Sequence, residues 1–411
     1  MKYKKSLLIL IMAIFLVSIA GVCASDANDT SMANEDSNQI KLSSGNEMSE
    51  DNLQTSEENN ILTLNDDETV SAQTDSERLS EGNGTYSDLR NDIENGGNLT
   101  KSYYKYNKSD GNSIIITTPN MTINGNGAII DMDGRYVTPF YVNASGVTIK
   151  NLTIQNLGPC DGSIYFNVNS GTVENCSFID LRCSSVRFVE QGTVTNCNFS
   201  HTYDGTAVDM GSGSITNCNF NNGRGAINIG SGNVTNCTFI DHRKFYQNMH
   251  GGAIYMGSGN VTNCNFINNH VEQSDGGAIY MGSGNVTNCN FTGNEAIYGW
   301  GGAIFMGSGN VTNCNFNNNY GVYGGGVYFE GDGEAINCKF NNNTSDHSSG
   351  AIYGGTADTC IFKTDSDSTV RTQVLSPTFN VDNFTTVYNS GEKLTFDLRT
   401  NSGMPVGNGN I

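Results

Sequence analysis

The stretch GAIYMGSGNVTNCNF at residues 252–266 recurs unchanged at residues 277–291. A third copy, at residues 302–316, differs only in Phe305, so the local period is 25 residues. Looser copies extend in both directions, and most share an Asn–Cys step. The cysteine of this step, or the leucine that takes its place in the first copy, is Leu152, Cys176, Cys197, Cys218, Cys237, Cys264, Cys289, Cys314, Cys338 and, in a degenerate last copy, Cys360. A fixed period of this length predicts a repeat architecture.

Residue alternation within each copy predicts which side chains face inward. The first run keeps aliphatic residues in one column and large apolar residues two positions later, as in Ile254 and Met256, while the position between them varies. Constant apolar columns are expected to face a core and variable columns to face water. In the second run Val261, Cys264 and Phe266 are predicted to point inward, Thr262 and Asn265 outward, with Asn263 at a corner.

These short runs, separated by Gly-Ser-Gly and Asn clusters, predict an all-β solenoid. A unit this short cannot bury its apolar face alone, so it must stack on its neighbours. The spacing fits three strands per coil, which predicts a right-handed parallel β-helix of about ten or eleven coils. Leucine-rich repeats have a similar period, but the sequence lacks their L-x-x-L-x-L signature.

The two ends of the repeat region carry different patterns. Before the first coil, TYSDLRNDIENGG at residues 85–97 places Leu89 and Ile93 four residues apart, which predicts a short amphipathic helix that caps the solenoid. After the repeats, FTTVYNSGEKLTFDLR at residues 384–399 reads as two alternating strands. Two strands are too few for an independent domain, so we expect the chain to stop inside an immunoglobulin-like domain.

The N-terminal 82 residues divide into two segments. Residues 1–24 carry three early lysines, an apolar run and a small-residue site, and are predicted to be a secretory signal peptide, with an uncleaved membrane anchor as the alternative. Residues 25–82 hold 15 Asp or Glu against 2 Lys or Arg, and are predicted to be a disordered acidic linker. The β-helix domain is placed at residues 83–371, and the start of the incomplete immunoglobulin-like stalk at residues 372–411.

Charge excludes one class of partner. The chain has a net charge of −20, whereas nucleic-acid binding requires clustered cations. We therefore expect no nucleic-acid partner, and membrane contact only through an uncleaved N-terminal signal.

Two motifs carry a resemblance to known families. GGAI (residues 251–254, 276–279 and 301–304) and F-x-x-N (for example residues 266–269) resemble repeats of chlamydial polymorphic outer-membrane proteins. The layout from TYSDLRNDI through MTINGNGAIIDM and VTIKNLTI to FTTVYNSGEKLTFDLR is more similar to adhesin-like surface proteins of methanogenic archaea. This resemblance, over about residues 85–411, implies a parallel β-helix head on immunoglobulin-like stalk domains and a role in attachment at the cell surface. The chain departs from that family at its C-terminus, where no wall-binding repeat or transmembrane helix follows.

The cysteines favour packing over metal or redox chemistry. Without Cys23 there are 11, and none forms a C-x-x-C pair, so a structural zinc site is not expected. One cysteine per coil predicts a ladder of inward free thiols, because neighbours about 4.8 Å apart with parallel side chains suit a disulfide poorly. Cys160 and Cys183 lie outside the main column and are the best candidates for a disulfide.

An outward column of aromatic residues is the strongest surface signal. It is predicted to contain Tyr141, Tyr165, Arg187, Asp209, Asn228, Tyr255, Tyr280, Phe305, Tyr328 and Tyr353, with Phe245, Tyr246, Tyr298, Trp300, Tyr320 and Tyr323 on the preceding loops. The candidate ligand-binding residues are Tyr141, Tyr165, Tyr246, Tyr255, Tyr280, Trp300, Phe305, Tyr328 and Tyr353. Exposed rings in a line can stack on sugars or on apolar side chains of a partner, or can simply stabilise the sheet.

The polar interruption in that column suggests a second function. Arg187, Asp204, Asp209 and Asn228 would share one face, and glycoside hydrolysis requires two carboxylates about 5 to 9.5 Å apart. However, the acid-rich motifs of galacturonan hydrolases are missing, and Asp241-His242-Arg243 fits a variant of the F-x-x-N turn.

The sequence therefore predicts a secreted or surface-displayed, non-enzymatic binding protein without a cofactor or metal. Its partner would be a glycan or protein of another cell. A polysaccharide lyase or hydrolase and an inert spacer of a surface layer are the alternatives.

Overall fold

The computed structural model describes residues 80–107, 110–245, 249–363 and 371–374. Within these ranges it contains one α-helix, α1 (Tyr86–Glu94), and 32 β-strands. The predicted signal peptide, nearly all of the acidic linker and the segment after Val374 lie outside the described residues, so those assignments stay predictions.

The strands follow one another in short segments along the chain. The first half contains β1 (Ser80–Thr85), β2 (Lys101–Lys105), β3 (Ile114–Ile116), β4 (Thr122–Arg135), β5 (Phe140–Val142), β6 (Val147–Leu157), β7 (Ile164–Phe166), β8 (Ser170–Glu174), β9 (Ser177–Leu181), β10 (Val186–Thr195), β11 (Asn198–Thr202), β12 (Val208–Thr216), β13 (Asn219–Asn221), β14 (Ile227–Thr235) and β15 (Thr238–Ile240). The second half contains β16 (Arg243–Lys244), β17 (Ile254–Thr262), β18 (Asn265–Ile267), β19 (His270–Val271), β20 (Ile279–Thr287), β21 (Asn290–Thr292), β22 (Glu295–Trp300), β23 (Ile304–Thr312), β24 (Asn315–Asn317), β25 (Tyr320–Tyr323), β26 (Val327–Phe329), β27 (Gly333–Ile336), β28 (Lys339–Asn341), β29 (Thr344–Ser348), β30 (Ile352–Asp358), β31 (Ile361–Lys363) and β32 (Arg371–Val374).

One coil, meaning one circuit of the solenoid, is built from three main segments. In the coil of β17 and β18, residues 254–256 and 258–262 each pair in parallel with the next coil, and Gly257 between them is unpaired. Residues 265–267 form the third segment and pair in parallel with β21. A short fourth segment, β19, belongs to a separate five-stranded parallel sheet with β16, β22, β25 and β29.

The register repeats from coil to coil, as the sequence predicts. The first segments pair in parallel through eleven successive coils, from β3 to β30. Each equivalent residue therefore lies directly beside its counterpart in the neighbouring coil, which confirms the parallel β-helix.

Asparagines at the corners explain the abundance of this residue. Asn263, Asn288 and Asn313 have φ of 55° each and separate the second and third segments. Asn tolerates this left-handed conformation better than most residues because its short polar side chain can bond locally. The corner position predicted for Asn263 is confirmed.

The core is a set of stacked columns. The nine phenylalanines of the third segments stack nearly parallel, with ring centroids 4.7 to 5.2 Å apart, at Phe178, Phe199, Phe220, Phe239, Phe266, Phe291, Phe316, Phe340 and Phe362. Val261, Cys264 and Phe266 are buried while Asn265 is exposed, as the alternation predicts. Such ring pairs contribute about 0.5–1.5 kcal/mol each beyond their burial.

The cysteine column packs as predicted. All eleven cysteines in the described ranges are free thiols, including Cys160 and Cys183. The Cys264 amide donates to the sulfur of Cys289 at 3.4 Å, and the Cys264 thiol donates to the Thr262 carbonyl at 3.2 Å. Burial raises the thiol pKa of Cys197 and Cys314 well above its ordinary value.

A buried amide ladder was not anticipated. Asn269, Asn294, Asn319 and Asn343, the last residues of F-x-x-N, are completely buried. Their side chains are hydrogen-bonded in a row. The Asn269 side-chain amide donates to Asn294 Oδ1 at 2.9 Å, and the Asn294 side-chain amide donates to Asn319 Oδ1 at 3.0 Å. The sequence predicts turns at these positions. It does not indicate that their side chains point inward, because asparagine is polar.

The N-terminal cap forms as predicted, with slightly different domain limits. Thr85 and Asp88 form a capping box at the start of α1, and Leu89 and Ile93 are buried in the same core as the coils. Strand β1 begins at Ser80, inside the predicted linker, and β32 pairs in parallel with β30 as far as Val374, beyond the predicted limit at residue 371.

Candidate functional site

The predicted outward column exists in the structure, and we call it the outer column. Register pairs join its members one coil at a time, in the order Ile115, Tyr141, Tyr165, Arg187, Asp209, Asn228, Tyr255, Tyr280, Phe305, Tyr328 and Tyr353. Each lies between two buried residues, except that Tyr353 is followed by the half-buried Gly354, because side chains alternate along a strand. Sequence comparison alone located every one of these positions except Ile115.

Five consecutive rings form what we call the aromatic stack: Tyr255, Tyr280, Phe305, Tyr328 and Tyr353. Their centroids lie 5.3, 4.7, 5.2 and 5.1 Å apart in that order, with interplanar angles of 11° or less. The spacing follows from the separation of neighbouring parallel strands. Because the rings cover one another's faces, the stack presents mainly ring edges and hydroxyl tips to solvent.

Exposure differs along the aromatic stack. Tyr255, at one end, is 40% exposed, whereas Phe305 is only 4% exposed. Phe305 therefore departs from the expected exposed ligand-binding position. It lies between Tyr280 and Tyr328, and the Trp300 ring is 6.5 Å away and nearly parallel to it.

Trp300 extends the aromatic surface sideways from the column. Its ring stacks on Tyr328 at 4.9 Å, and it remains 39% exposed. The Trp300 amide donates to Asp275 Oδ1 at 2.9 Å, which holds the end of β22 against the loop of the preceding coil. Tyr298, also in β22, is 70% exposed, and Tyr323 of β25 packs edge-on against Tyr353.

The remaining predicted aromatic residues have different surroundings. Tyr246 lies outside the described residues, so its role stays a prediction. Phe245 is exposed, with its ring 6.3 Å from the His270 ring. Burial and a hydrogen bond to Asp346 raise the pKa of Tyr320 to about 12.

Tyr141 and Tyr165 form a second, smaller aromatic pair in the outer column. Their ring centroids are 5.0 Å apart and tilted. The Arg187 guanidinium lies over the Tyr165 ring at 5.5 Å, an arrangement in which the negative ring face attracts the cation. This pair is separated from the aromatic stack by the polar residues Arg187, Asp209 and Asn228.

The polar interruption is a linked network rather than a pair of free carboxylates. Arg187 Nε lies 3.4 Å from Asp209 Oδ2, and the Asn228 amide donates to Asp209 Oδ1 at 2.8 Å. Asp204 instead contacts two other guanidinium groups, those of Arg182 at 3.2 Å and Arg224 at 3.4 Å. Both carboxylates are therefore already engaged by guanidinium groups.

Carboxylates border the aromatic stack. Burial, then the Tyr255 phenol and the Glu330 and Asp275 carboxylates, raise the pKa of Tyr280. Burial, Tyr353 and the same two carboxylates raise the pKa of Tyr328. Asp275 also lies 3.4 Å from His250 Nδ1, and the His250 ring packs on Tyr280 at 4.5 Å.

The repeat pattern does not single out His250, Asp275 and Glu330. A signal for the two carboxylates was present, because residues 251–338 contain six Asp or Glu and no Lys or Arg. Their proximity to the ring tips depends on loop conformation, which the period does not specify.

His242 confirms the interpretation of Asp241-His242-Arg243 as a turn variant. Its side chain is 2% exposed, and its backbone amide donates to Asn269 Oδ1 at 3.2 Å, as each following ladder residue does to the next. Burial lowers the pKa of His242 to about 4, so the ring is neutral at pH 7.

Nowhere in the described ranges do three or more His, Cys, Asp or Glu side chains gather closely enough to hold a metal ion. No helix in the same ranges combines the length and apolar character that a membrane span requires.

Comparison with known proteins agrees with the observed architecture. Residues 138–295 match the family model described as a right handed beta helix region. No curated protein and no solved structure matches the chain. The fold is therefore a right-handed parallel β-helix, which adhesins and polysaccharide-degrading enzymes share.

Proposed function

We propose that the chain is a non-catalytic, adhesin-like protein, secreted or displayed at the cell surface, that binds a carbohydrate or protein of another cell through the aromatic stack. The observation that carries this proposal is a continuous aromatic surface over five coils, from Tyr255 to Tyr353, widened by Trp300. Exposed apolar surface of this kind, rimmed by polar groups, commonly marks an interaction site.

The rigidity of the stack supports a binding role. Each ring is held by neighbours on both sides or at one end, so little side-chain freedom remains to be lost when a partner binds. The hydroxyl tips of Tyr255, Tyr280, Tyr328 and Tyr353 add hydrogen-bonding groups along the apolar strip. Aromatic residues with a polar tip are enriched at protein interfaces for this reason.

The proposed location rests on the sequence. Residues 1–24 have the pattern of a secretory signal, and the following acidic segment suits a solvated spacer. The resemblance to adhesin-like surface proteins of methanogenic archaea points the same way. A fold alone does not decide function, so the binding surface itself must be tested.

Binding can be measured with the full-length chain on a glycan array and on intact cells. We expect Tyr280→Ala and Trp300→Ala each to weaken binding by about fivefold or more, because each removes part of the continuous ring surface. Tyr136→Ala is the matched control, since Tyr136 is 74% exposed but lies outside the outer column. Equal binding by all three variants and the wild type would contradict the proposal.

The enzyme alternative rests on the Arg187–Asp209–Asn228 network and has a separate test. Incubation of the chain with uronic-acid polymers should produce no new unsaturated or reducing ends if the proposal is right. Ends that form with the wild type and are lost in Asp209→Asn would instead establish a lyase or hydrolase. If neither binding nor cleavage is found, the inert spacer of a surface layer is the remaining interpretation.

A further inference from the structure

The outer column has a gap beside Tyr255. Along the column the large Tyr255 ring follows the short side chains of Asp209 and Asn228. In the described part of the chain, Tyr255 makes a ring contact only with Tyr280, so its other face, toward Asn228, has no aromatic neighbour. Tyr255 is also the most exposed ring of the aromatic stack, at 40%.

The gap spans two coils, those of Asp209 and Asn228. Successive rings in the aromatic stack are 4.7 to 5.3 Å apart, one coil at a time. A flat ring placed outside the Asn228 side chain would therefore continue the stack at the same spacing. A pyranose suits this position because its axial C–H groups carry partial positive charge and the aromatic face is negative.

The base of the gap is polar and already ordered. The Asn228 amide donates to Asp209 Oδ1 at 2.8 Å, and Asp209 Oδ2 lies 3.4 Å from Arg187 Nε. Beyond this bond, the described residues give the Asn228 carbonyl oxygen and its second amide proton no partner, and the Arg187 guanidinium also lies over the Tyr165 ring at 5.5 Å. An amide group can donate to and accept from sugar hydroxyls, and a guanidinium group can donate to them.

Local charge favours a sugar over a partner's arginine side chain. The one carboxylate at the base, Asp209, already faces the Arg187 guanidinium. Residues 182–244, which include this part of the column, contain five Lys or Arg and four Asp or Glu. A second guanidinium would therefore find no unpaired carboxylate at the base of the gap, whereas hydroxyl groups need none.

We propose that the gap between Arg187 and Tyr255 is a pyranose-binding subsite, in which the sugar ring stacks on Tyr255 and its hydroxyls bond Asn228 and Arg187. This inference rests on the proposed binding function and names carbohydrate as its ligand class. The aromatic stack then provides a flat extension along which the rest of a glycan can lie.

Filling the gap is the sharpest test. The full-length chain and its variants are applied to an array of neutral, amino and uronic-acid pyranose oligosaccharides. We expect Asn228→Tyr to abolish binding, because the new ring occupies the sugar position, while the melting temperature stays equal or rises since the stack is extended. Asn228→Ala keeps the gap but loses hydrogen bonds, and should weaken binding about fivefold. Tyr255→Leu should weaken it about fivefold to tenfold, and Tyr136→Leu should leave it unchanged.

The outcomes separate this inference from the broader proposal. Binding that is lost in Tyr280→Ala and Trp300→Ala but retained in Asn228→Tyr would keep the aromatic stack as the docking surface and overturn the subsite. Failure of every oligosaccharide to bind the wild type would also overturn it, as would an arginine-glycine peptide that binds the wild type and is excluded by Asn228→Tyr. Insensitivity of binding to all these variants would overturn both.

Discussion

Asn294→Leu should lower the free energy of unfolding by at least about 4 kcal/mol, because four buried hydrogen bonds are lost at once. Asn294 Oδ1 accepts from the backbone amide and side-chain amide of Asn269 at 3.1 and 2.9 Å. Its own amide donates to the Phe266 carbonyl at 3.1 Å and to Asn319 Oδ1 at 3.0 Å. Leucine has a similar volume, but it leaves the Asn269 backbone amide buried without its acceptor and removes a donor from the Phe266 carbonyl, where water cannot replace the bond.

The matched control is Asn290→Leu in the same coil. Asn290 also belongs to an amide ladder, with hydrogen bonds of 2.9 and 2.8 Å to Asn265 and Asn315, but this ladder is on the surface. Water can satisfy the freed groups, so the expected loss is below about 1 kcal/mol. Denaturant unfolding followed by circular dichroism measures both values. Similar losses of unfolding free energy in the two variants would show that the buried ladder of Asn294 stabilises the fold no more than the surface ladder of Asn290.

Phe291→Ala should cost about 3–5 kcal/mol of unfolding free energy. The Phe291 ring is completely buried and stacks on Phe266 and Phe316 at 4.8 Å on each side. Truncation removes the transfer energy of the ring and both stacking contacts, and leaves a cavity that adjacent coils cannot close without losing register.

Tyr280→Ala is the informative comparison, because Tyr280 stacks at 5.3 and 4.7 Å in the outer column but is half-buried. We expect a loss of about 1–2 kcal/mol, mostly from its two ring contacts. Such a variant stays folded and can be used in binding experiments. If Tyr280→Ala instead destabilised the chain as much as Phe291→Ala does, the aromatic stack would be mainly a structural ladder. That result would favour the inert-spacer interpretation.

Much of the fold was predictable because a solenoid is nearly one-dimensional. A residue and its counterpart one period later, such as Ile254 and Ile279, are neighbours whenever copies stack in parallel, so aligning the copies is equivalent to listing contacts. The period-2 alternation of strands then separates inward from outward columns, as for Val261 and Thr262. The same logic located the members of the candidate site from Tyr141 to Tyr353.

The chemistry of that site was less predictable. The pattern grouped Asp204 with Asp209, but the loop before the first segment places Asp204 against Arg182 and Arg224 instead. It also identified Asn269 and Asn294 only as turn positions and did not indicate that their side chains are buried.

Repetition in the amino-acid chain was thus sufficient to establish the parallel stacking, the coil number and the outer column, since these depend on which residues recur and how strands alternate. Ring orientation, the burial of Phe305 beneath Trp300, and the gap beside Tyr255 emerged only in three dimensions. They depend on how loops of unequal length pack over the coils and on which ring faces are covered, and neither follows from a period.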